Sequence, residues 1–129
     1  MEKGELVAYW VKAAALDFPA MENLFAGGNY VWSLYIGHLI IEKLLKAHYA
    51  KVLDTTPPKT HNLVKLAEIS RLTNDIEKLE LLDELNEFNI EARYPDKKFE
   101  LYKKCNHEFT INYLSKINEL YKWIKSQII

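Results

Sequence analysis

The chain has few residues that break helices or form cross-links. Its 129 residues include one cysteine, four glycines and four prolines. The single cysteine, Cys105, excludes an intrachain disulfide and a cysteine-based zinc cluster, and it fits a reducing compartment. The only adjacent glycines, Gly27 and Gly28, do not form the longer glycine-rich loop that cradles phosphates in many nucleotide-binding proteins. The scarcity of helix breakers favours long helical segments.

The chain also lacks a large excess of charge of either sign. Its formal charge of -1 at pH 7 gives no overall basic signal for nucleic acid. The charges are unevenly placed, because residues 1–67 carry +1, residues 68–96 carry -6 and residues 97–129 carry +4. Such blocks are most simply solvated helix faces, but the basic last quarter could also contact phosphate.

No long uncharged hydrophobic run is present. The most apolar stretch, "YVWSLYIGHLIIEKLLKAHYA", contains His38, Glu42, Lys43 and Lys46, and the first ten residues lack an apolar signal core. The 49% hydrophobic composition is nevertheless enough to form the core of one domain. We therefore expect a soluble, cytoplasmic protein that does not bind membranes.

Apolar residues recur at intervals of three and four, and no stretch shows the alternation of a strand. The clearest stripe comprises Phe109, Tyr113, Ile117, Leu120 and Ile124. The expected helices run from residue 4 to 26 with a kink at Pro19, from the cap Asn29 to Leu53, from the cap Thr60 to Leu72, from the cap Asn74 to a boundary at Tyr94, and from the cap Asn106 onward.

Long helices joined by short loops favour antiparallel neighbours. The sequence therefore predicts an all-α fold, an up-and-down bundle of four or five helices, with residues 1–129 forming a single domain. The second helix is apolar or aromatic on more than one face, which suggests a homodimer contact that includes some of Tyr30, Trp32 and Tyr35.

The second helix also carries charged residues on one face. His38, Glu42 and Lys46 are spaced four residues apart, and Glu42 precedes Lys46 in the order that favours a helical ion pair. Two interpretations stay open, namely a structural pair at a helix interface and a polar pocket in the bundle core.

The histidines do not form a metal-binding pattern. His38, His48, His61 and His107 lack the two-histidine spacing of a helical metalloenzyme site, and no carboxylate lies at Glu-x-x-His spacing on paired helices. The prediction is therefore that the chain has no metal site and no cofactor.

The segment "ARYPDKK" ends an acidic helix with Arg93, one of only two arginines. Arg93, Tyr94 and Asp96 are candidates for a polar or ligand-binding site, and Lys97 and Lys98 are candidates for phosphate contacts. In a structural interpretation Arg93 pairs with Glu42 and locks two helices together. In a functional interpretation Arg93 binds the phosphate of a nucleotide or RNA.

Several short features occur together in a recognisable order. They are Trp10 and Asp17, Gly28 with Tyr30, "HLIIEKLLKA", "PPKTHNL", "ARYPD" and the late tryptophan of "YKWIK". Over nearly the whole chain this set resembles the HEPN domain family, of the type found beside minimal nucleotidyltransferases. The resemblance implies a helical bundle, similar to nucleotidyltransferase substrate-binding subunits, that tends to form homodimers.

The resemblance implies two kinds of function. One is a binding module that acts with a separate minimal nucleotidyltransferase and helps to bind nucleotide or substrate. The other is a metal-independent ribonuclease, in some cases the toxin of a toxin–antitoxin pair, which carries an arginine followed by a histidine after four to six intervening residues.

This sequence departs from the nuclease motif. Positions 98, 99 and 100 after Arg93 are Lys98, Phe99 and Glu100, and the matching positions after Arg71 are Ile76, Glu77 and Lys78. We therefore predict a non-catalytic partner module and keep the ribonuclease as the alternative, in which Arg93 would be the catalytic residue.

Overall fold

The computed structural model describes residues 2–129, which contain seven α-helices and no strand. The helices are α1 (Lys3–Leu16), α2 (Phe18–Ala26), α3 (Tyr30–Leu53), α4 (Leu63–Ile69), α5 (Ile76–Arg93), α6 (Pro95–Lys104) and α7 (His107–Ile128). The all-α bundle predicted from the sequence is confirmed.

The number of helical segments exceeds the predicted four or five, because two prolines start new helices. Pro19 lies in the first turn of α2, next to the kink predicted near Phe18. Tyr94 is extended with ψ 122°, as predicted, but the chain returns to helix at once and Pro95 begins α6. Proline is tolerated in the first turn of a helix, because an N–H group at that position would have no intrahelical partner.

Helix α3 is the central element, and it packs against each of the other six helices. A helix that is apolar on all sides is stable only when neighbours surround it. Tyr30, Trp32 and Tyr35 are partly buried and pack on the core of their own chain. The several apolar faces of α3 are thus explained within one chain, and they are not evidence for a dimer contact.

Two predicted helix caps lie one or two residues away from the observed ones. The side chain of Asn62, and not Thr60, caps α4 by accepting from Lys65 N at 3.2 Å. Asp75, and not Asn74, caps α5 by accepting from Glu77 N at 2.9 Å. These oxygens satisfy the free N–H groups of the first turn. The predicted cap Asn106 does cap α7, accepting from Phe109 N at 2.8 Å.

Helices α3 and α7 approach closely at Gly37. A Cβ atom at Gly37 would lie 2.6 Å from Ile117 Cδ1, so a larger residue there would require the Ile117 side chain to shift. Ile117 belongs to the stripe predicted for the last helix, of which Ile117, Leu120 and Ile124 are buried. No helix within residues 2–129 has the length and apolar character needed to cross a membrane.

Candidate functional site

The three polar residues of α3 lie on one buried face of the helix. Glu42 Oε2 accepts from Lys46 Nζ at 3.1 Å, and Glu42 Oε1 lies 4.0 Å from His38 Nδ1. His38 is fully buried, and Glu42 and Lys46 are nearly so. Buried charges require partners, so we expect further hydrogen-bonding groups from neighbouring elements to contact these three side chains.

The missing partner comes from the loop before α4. His61 Nδ1 lies 2.8 Å from Glu42 Oε1, and His61 O accepts a hydrogen bond from His38 Nε2 at 3.0 Å. The backbone and the side chain of His61 are therefore both held by α3. This contact could not be predicted from the sequence, because a proline-containing loop separates His61 from Glu42.

A second anchor ties the same loop to α5. Asn86 Oδ1 accepts from Leu63 N at 2.9 Å, and Asn86 Nδ2 donates to Asn62 Oδ1 at 3.1 Å. Asn62 is the cap of α4 and Leu63 is its first residue, so these two bonds of Asn86 fix where α4 begins. The loop that carries His61 is thus fixed from two sides.

The hydrogen-bond partners show which ring nitrogen of each histidine donates a proton. Burial lowers the pKa of His38 to about 4, so its imidazole is neutral at pH 7. Because a carbonyl oxygen only accepts, the proton of His38 lies on Nε2, and Nδ1 accepts from Asn89 Nδ2 at 3.4 Å. In His61, Nδ1 donates to the carboxylate of Glu42, and Nε2 is not part of this contact. The His61 side chain is 60% exposed.

His61 and Arg93 line the same cleft, which has a volume of about 330 Å³. Its other lining residues are Asn62, Asp83, Asn86, Glu87, Asn89 and Ile90. Arg93 is exposed, and its Nε donates to Asn89 O at 3.2 Å. Within residues 2–129 no carboxylate lies within 4.0 Å of the Arg93 guanidinium. The cleft therefore contains a guanidinium whose terminal nitrogens remain available to a ligand.

The pairing of Arg93 with Glu42 considered in the structural interpretation is wrong. Glu42 faces inward from α3 and is occupied by Lys46 and His61, whereas Arg93 lies at the exposed end of α5 and bonds its own helix backbone. Arg93 therefore does not lock α5 to α3 through a buried ion pair.

The other candidates after Arg93 lie beside the cleft and do not line it. Tyr94 is half exposed, and its ring centroid lies 5.8 Å from Arg93 Cζ. Lys98 Nζ lies 4.3 Å from the ring centroid of Trp32, where a cation–π contact holds it against α3. Asp96 and Lys97 are exposed in the first turn of α6.

Three further side chains with reactive groups are buried away from this cleft, namely Cys105, His48 and Ser70. Burial, with a smaller contribution from Glu91, raises the pKa of the Cys105 thiol to about 11, so the thiol stays protonated.

Ser70 Oγ donates to Leu66 O at 2.8 Å, so it receives the hydrogen bond from His48 Nδ1 at 3.0 Å. Burial, and to a lesser extent Lys51, lowers the pKa of His48. The His48–Ser70 contact is therefore a structural link between α3 and the end of α4.

No group of three or more histidine, cysteine or acidic side chains in the described part of the chain is arranged to hold a metal ion. The Arg93 cleft instead combines an imidazole, a guanidinium, amides and carboxylates. These groups are suited to hydrogen bonding, charge recognition and proton transfer.

Comparison with protein families gives a match that covers nearly the whole chain. The model of the HEPN domain family matches residues 7–127. Neither a search of curated proteins nor a search of solved structures gave a match. The matched range contains all of the cleft and all of α3, so the chain belongs to the HEPN domain family.

Proposed function

We propose that this HEPN domain is a binding module that holds the phosphate of a nucleotide or RNA in the Arg93 cleft. The observation that carries the proposal is the free end of Arg93, which uses only Nε for a contact to its own helix. A planar guanidinium can donate two parallel hydrogen bonds to a phosphate. The phosphate is expected to lie at the Arg93 end of the cleft.

The other end of the cleft has the opposite charge. Asp83 and Glu87 line it on the same helix, and ten residues of helix place Asp83 about 15 Å from Arg93. Carboxylates there disfavour a run of phosphates but can accept from the amino group of a nucleobase. This polarity favours a ligand with one anionic end, such as a nucleoside monophosphate or one linkage of an RNA chain.

The two arginines of the chain provide a matched test of this site. Isothermal titration with nucleoside monophosphates and short RNAs should show binding by wild type that Arg93→Ala weakens at least tenfold. Arg71→Ala removes the same charge from an exposed position at the end of α4 and should leave binding unchanged. Equal losses in both variants would show only a dependence on net charge and would contradict the proposed site.

The proposal includes a separate minimal nucleotidyltransferase as partner, as in the HEPN proteins that this sequence resembles. The partner would supply the metal-binding carboxylates of nucleotidyl transfer, while this chain would contribute to nucleotide or substrate binding. A nucleotidyltransferase encoded beside this chain should be retained by the tagged protein in a pull-down. Failure of that protein to bind would remove this part of the proposal.

We also propose that the domain forms a homodimer whose contact includes exposed aromatic residues of α6. Tyr94, Phe99 and Tyr102 are exposed on or beside α6. Three neighbouring exposed aromatic side chains support a protein contact more than scattered single ones do. Light scattering at tens of micromolar should give a dimer mass for wild type and a lower mass for Phe99→Ser. A strict monomer would contradict the proposal.

The second candidate function is metal-independent RNA cleavage, as the toxin of a toxin–antitoxin pair or in another role. One observation favours it, since a histidine lies in the cleft with Arg93 although the expected sequence motif is absent. In this candidate Arg93 stabilises negative charge at the phosphate. Wild type should then cleave RNA in the presence of a chelator, and Arg93→Ala should not.

A further inference from the structure

A second groove lies between α1 and the end of α7, and it shares no lining residue with the Arg93 cleft. Its volume is about 560 Å³. Both helices pack on α3, and Val7, Val11 and Ile128 line the groove where they pack on the core. The other apolar lining residues are exposed, namely Gly4, Ala8, Ala15 and Ile129. Residues 2–129 therefore leave this apolar surface uncovered.

The residues of α1 that line the groove are spaced for contact with another helix. Gly4, Ala8, Val11 and Ala15 follow one another at intervals of four, three and four residues, as in a helix that faces a neighbour. They span about 16 Å, or roughly three helical turns. A Cβ atom at Gly4 would meet no atom within 4 Å outside its own helical turn. The small residues therefore leave room for large side chains of an incoming helix.

The charged side chains around the groove are all positive. Lys3, Lys12 and Lys51 line it, and no aspartate or glutamate does. Within residues 2–129 no carboxylate lies within 4.0 Å of these three ammonium groups. Lys51 Nζ donates to Gln127 O at 3.1 Å, a neutral acceptor that leaves the lysine charge unpaired. The charges beside the groove thus complement an occupant with acidic edges.

We propose that this groove binds an amphipathic helix of another protein, with large apolar side chains on one face and glutamate or aspartate beside them. In recognition of a helix by a groove, the apolar face supplies the anchors. The lysines orient the acidic helix and disfavour basic ones. The groove shares no residue with the Arg93 cleft or with the aromatic residues of α6, so the inference depends neither on RNA binding nor on the homodimer.

The probe is a fluorescent peptide of about four helical turns, stapled so that it stays helical. It carries leucine on one face and glutamate on both sides of that face, and a second peptide carries lysine at every glutamate position. Fluorescence anisotropy should show binding of the glutamate peptide by wild type. The lysine peptide should bind about tenfold more weakly or less, because its charges face the lysines of the groove.

Variants of the protein locate the bound peptide. Ala8→Glu places a charged side chain in the groove and should weaken binding of the glutamate peptide about tenfold or more. Ala20→Glu adds the same charge to an exposed position of α2 outside the groove and should leave binding within about twofold. The double variant Lys3→Glu/Lys12→Glu should bind the lysine peptide more tightly than the glutamate peptide. This reversal tests the charge complementarity without filling the groove.

Several outcomes would overturn the inference. They are binding of neither peptide by wild type, equal binding of both, and equal losses in Ala8→Glu and Ala20→Glu. A dimer mass that becomes a monomer mass in Ala8→Glu without peptide would show that a second copy of the chain fills the groove. Sedimentation of wild type, but not of Ala8→Glu, with phosphatidylserine vesicles would show that a membrane surface covers it. Either result would replace the partner helix as the occupant.

Discussion

Two lysine–glutamate pairs in this chain have similar geometry and opposite surroundings. Lys46 Nζ lies 3.1 Å from Glu42 in α3, where the side chains are 9% and 7% exposed. Lys103 Nζ lies 3.3 Å from Glu100 in α6, where they are 74% and 68% exposed. Water can replace either partner of the pair in α6, but neither partner of the pair in α3. Burial, and not spacing or distance, therefore decides which pair matters to the fold.

The same contrast extends to the residues around each pair. In α3 every polar member of the cluster has a protein partner, because His38, Glu42 and Lys46 are bonded to one another or to His61. In the segment from Arg93 to Lys98 the polar side chains point to solvent, to a neighbouring ring or to their own helix. The first region holds a structure together, and the second has groups free for a ligand.

The largest expected effect comes from breaking the buried pair. Glu42→Ala leaves Lys46 in the core without its carboxylate and should lower the free energy of unfolding by about 3 to 5 kcal/mol. Glu100→Ala removes the exposed counterpart and should cost less than about 1 kcal/mol. Chemical denaturation of both variants beside wild type measures the difference. Equal losses would show that burial does not distinguish the two pairs.

The α3 face was predictable because its spacing is local to one helix. Residues four apart lie on the same side whatever the rest of the chain does, so His38, Glu42 and Lys46 could be grouped from the sequence. The contact of His61 with Glu42 depends on the path of a loop containing Pro57 and Pro58 and on the docking of α4. No periodicity encodes such a path.

The outcome for Arg93 shows the same limit. Its position at a helix end was predictable from the proline two residues later. Its partner depended on how α5 is rotated about its axis relative to α3. A small rotation decides whether a residue at a helix end faces a buried carboxylate or solvent, so sequence reasoning left both alternatives open and the structure decided between them.

The next largest effect concerns the pH dependence of the buried cluster. The pKa of His38 falls from 6.5 in the unfolded chain to about 4 in the fold, so the unfolded state binds more protons between these values. The stability linked to neutral His38 is therefore fully present above pH 6.5 and is lost as the pH falls towards 4. The loss amounts to roughly 3 kcal/mol.

The variant His38→Gln tests this dependence, because glutamine can donate to His61 O but does not titrate. Denaturation at pH 7 and at pH 4.5 should show a smaller loss of stability for the variant than for wild type. His48, whose pKa burial also lowers, is present in both proteins and cancels in the comparison. Parallel losses in the two proteins would contradict the assignment to His38.

A smaller effect is expected at the point where the two regions meet. Asn86 of α5 accepts from Leu63 N and donates to the cap Asn62, so it ties the His61 loop to the helix that ends in Arg93. Asn86→Ala leaves the Leu63 N–H without that partner and should cost about 1 to 2 kcal/mol. Hydrogen exchange should be faster at Leu63 and at neighbouring amides of α4. Unchanged exchange there would show that Asn86 does not hold the loop.

The smallest expected change in stability belongs to Arg93, and it provides the sharpest test of the contrast between the regions. Arg93 is exposed and makes one hydrogen bond to its own helix, so Arg93→Ala should change the free energy of unfolding by only about 0.5 kcal/mol or less. The same substitution should weaken binding of RNA and reduce the slope of log affinity against log salt by about one unit, because one phosphate contact is lost. A melting curve and a salt titration on one preparation measure both quantities. A large fall in melting temperature would show that Arg93 has a structural role. A stable variant with an unchanged salt slope would show that the phosphate binds elsewhere on the chain.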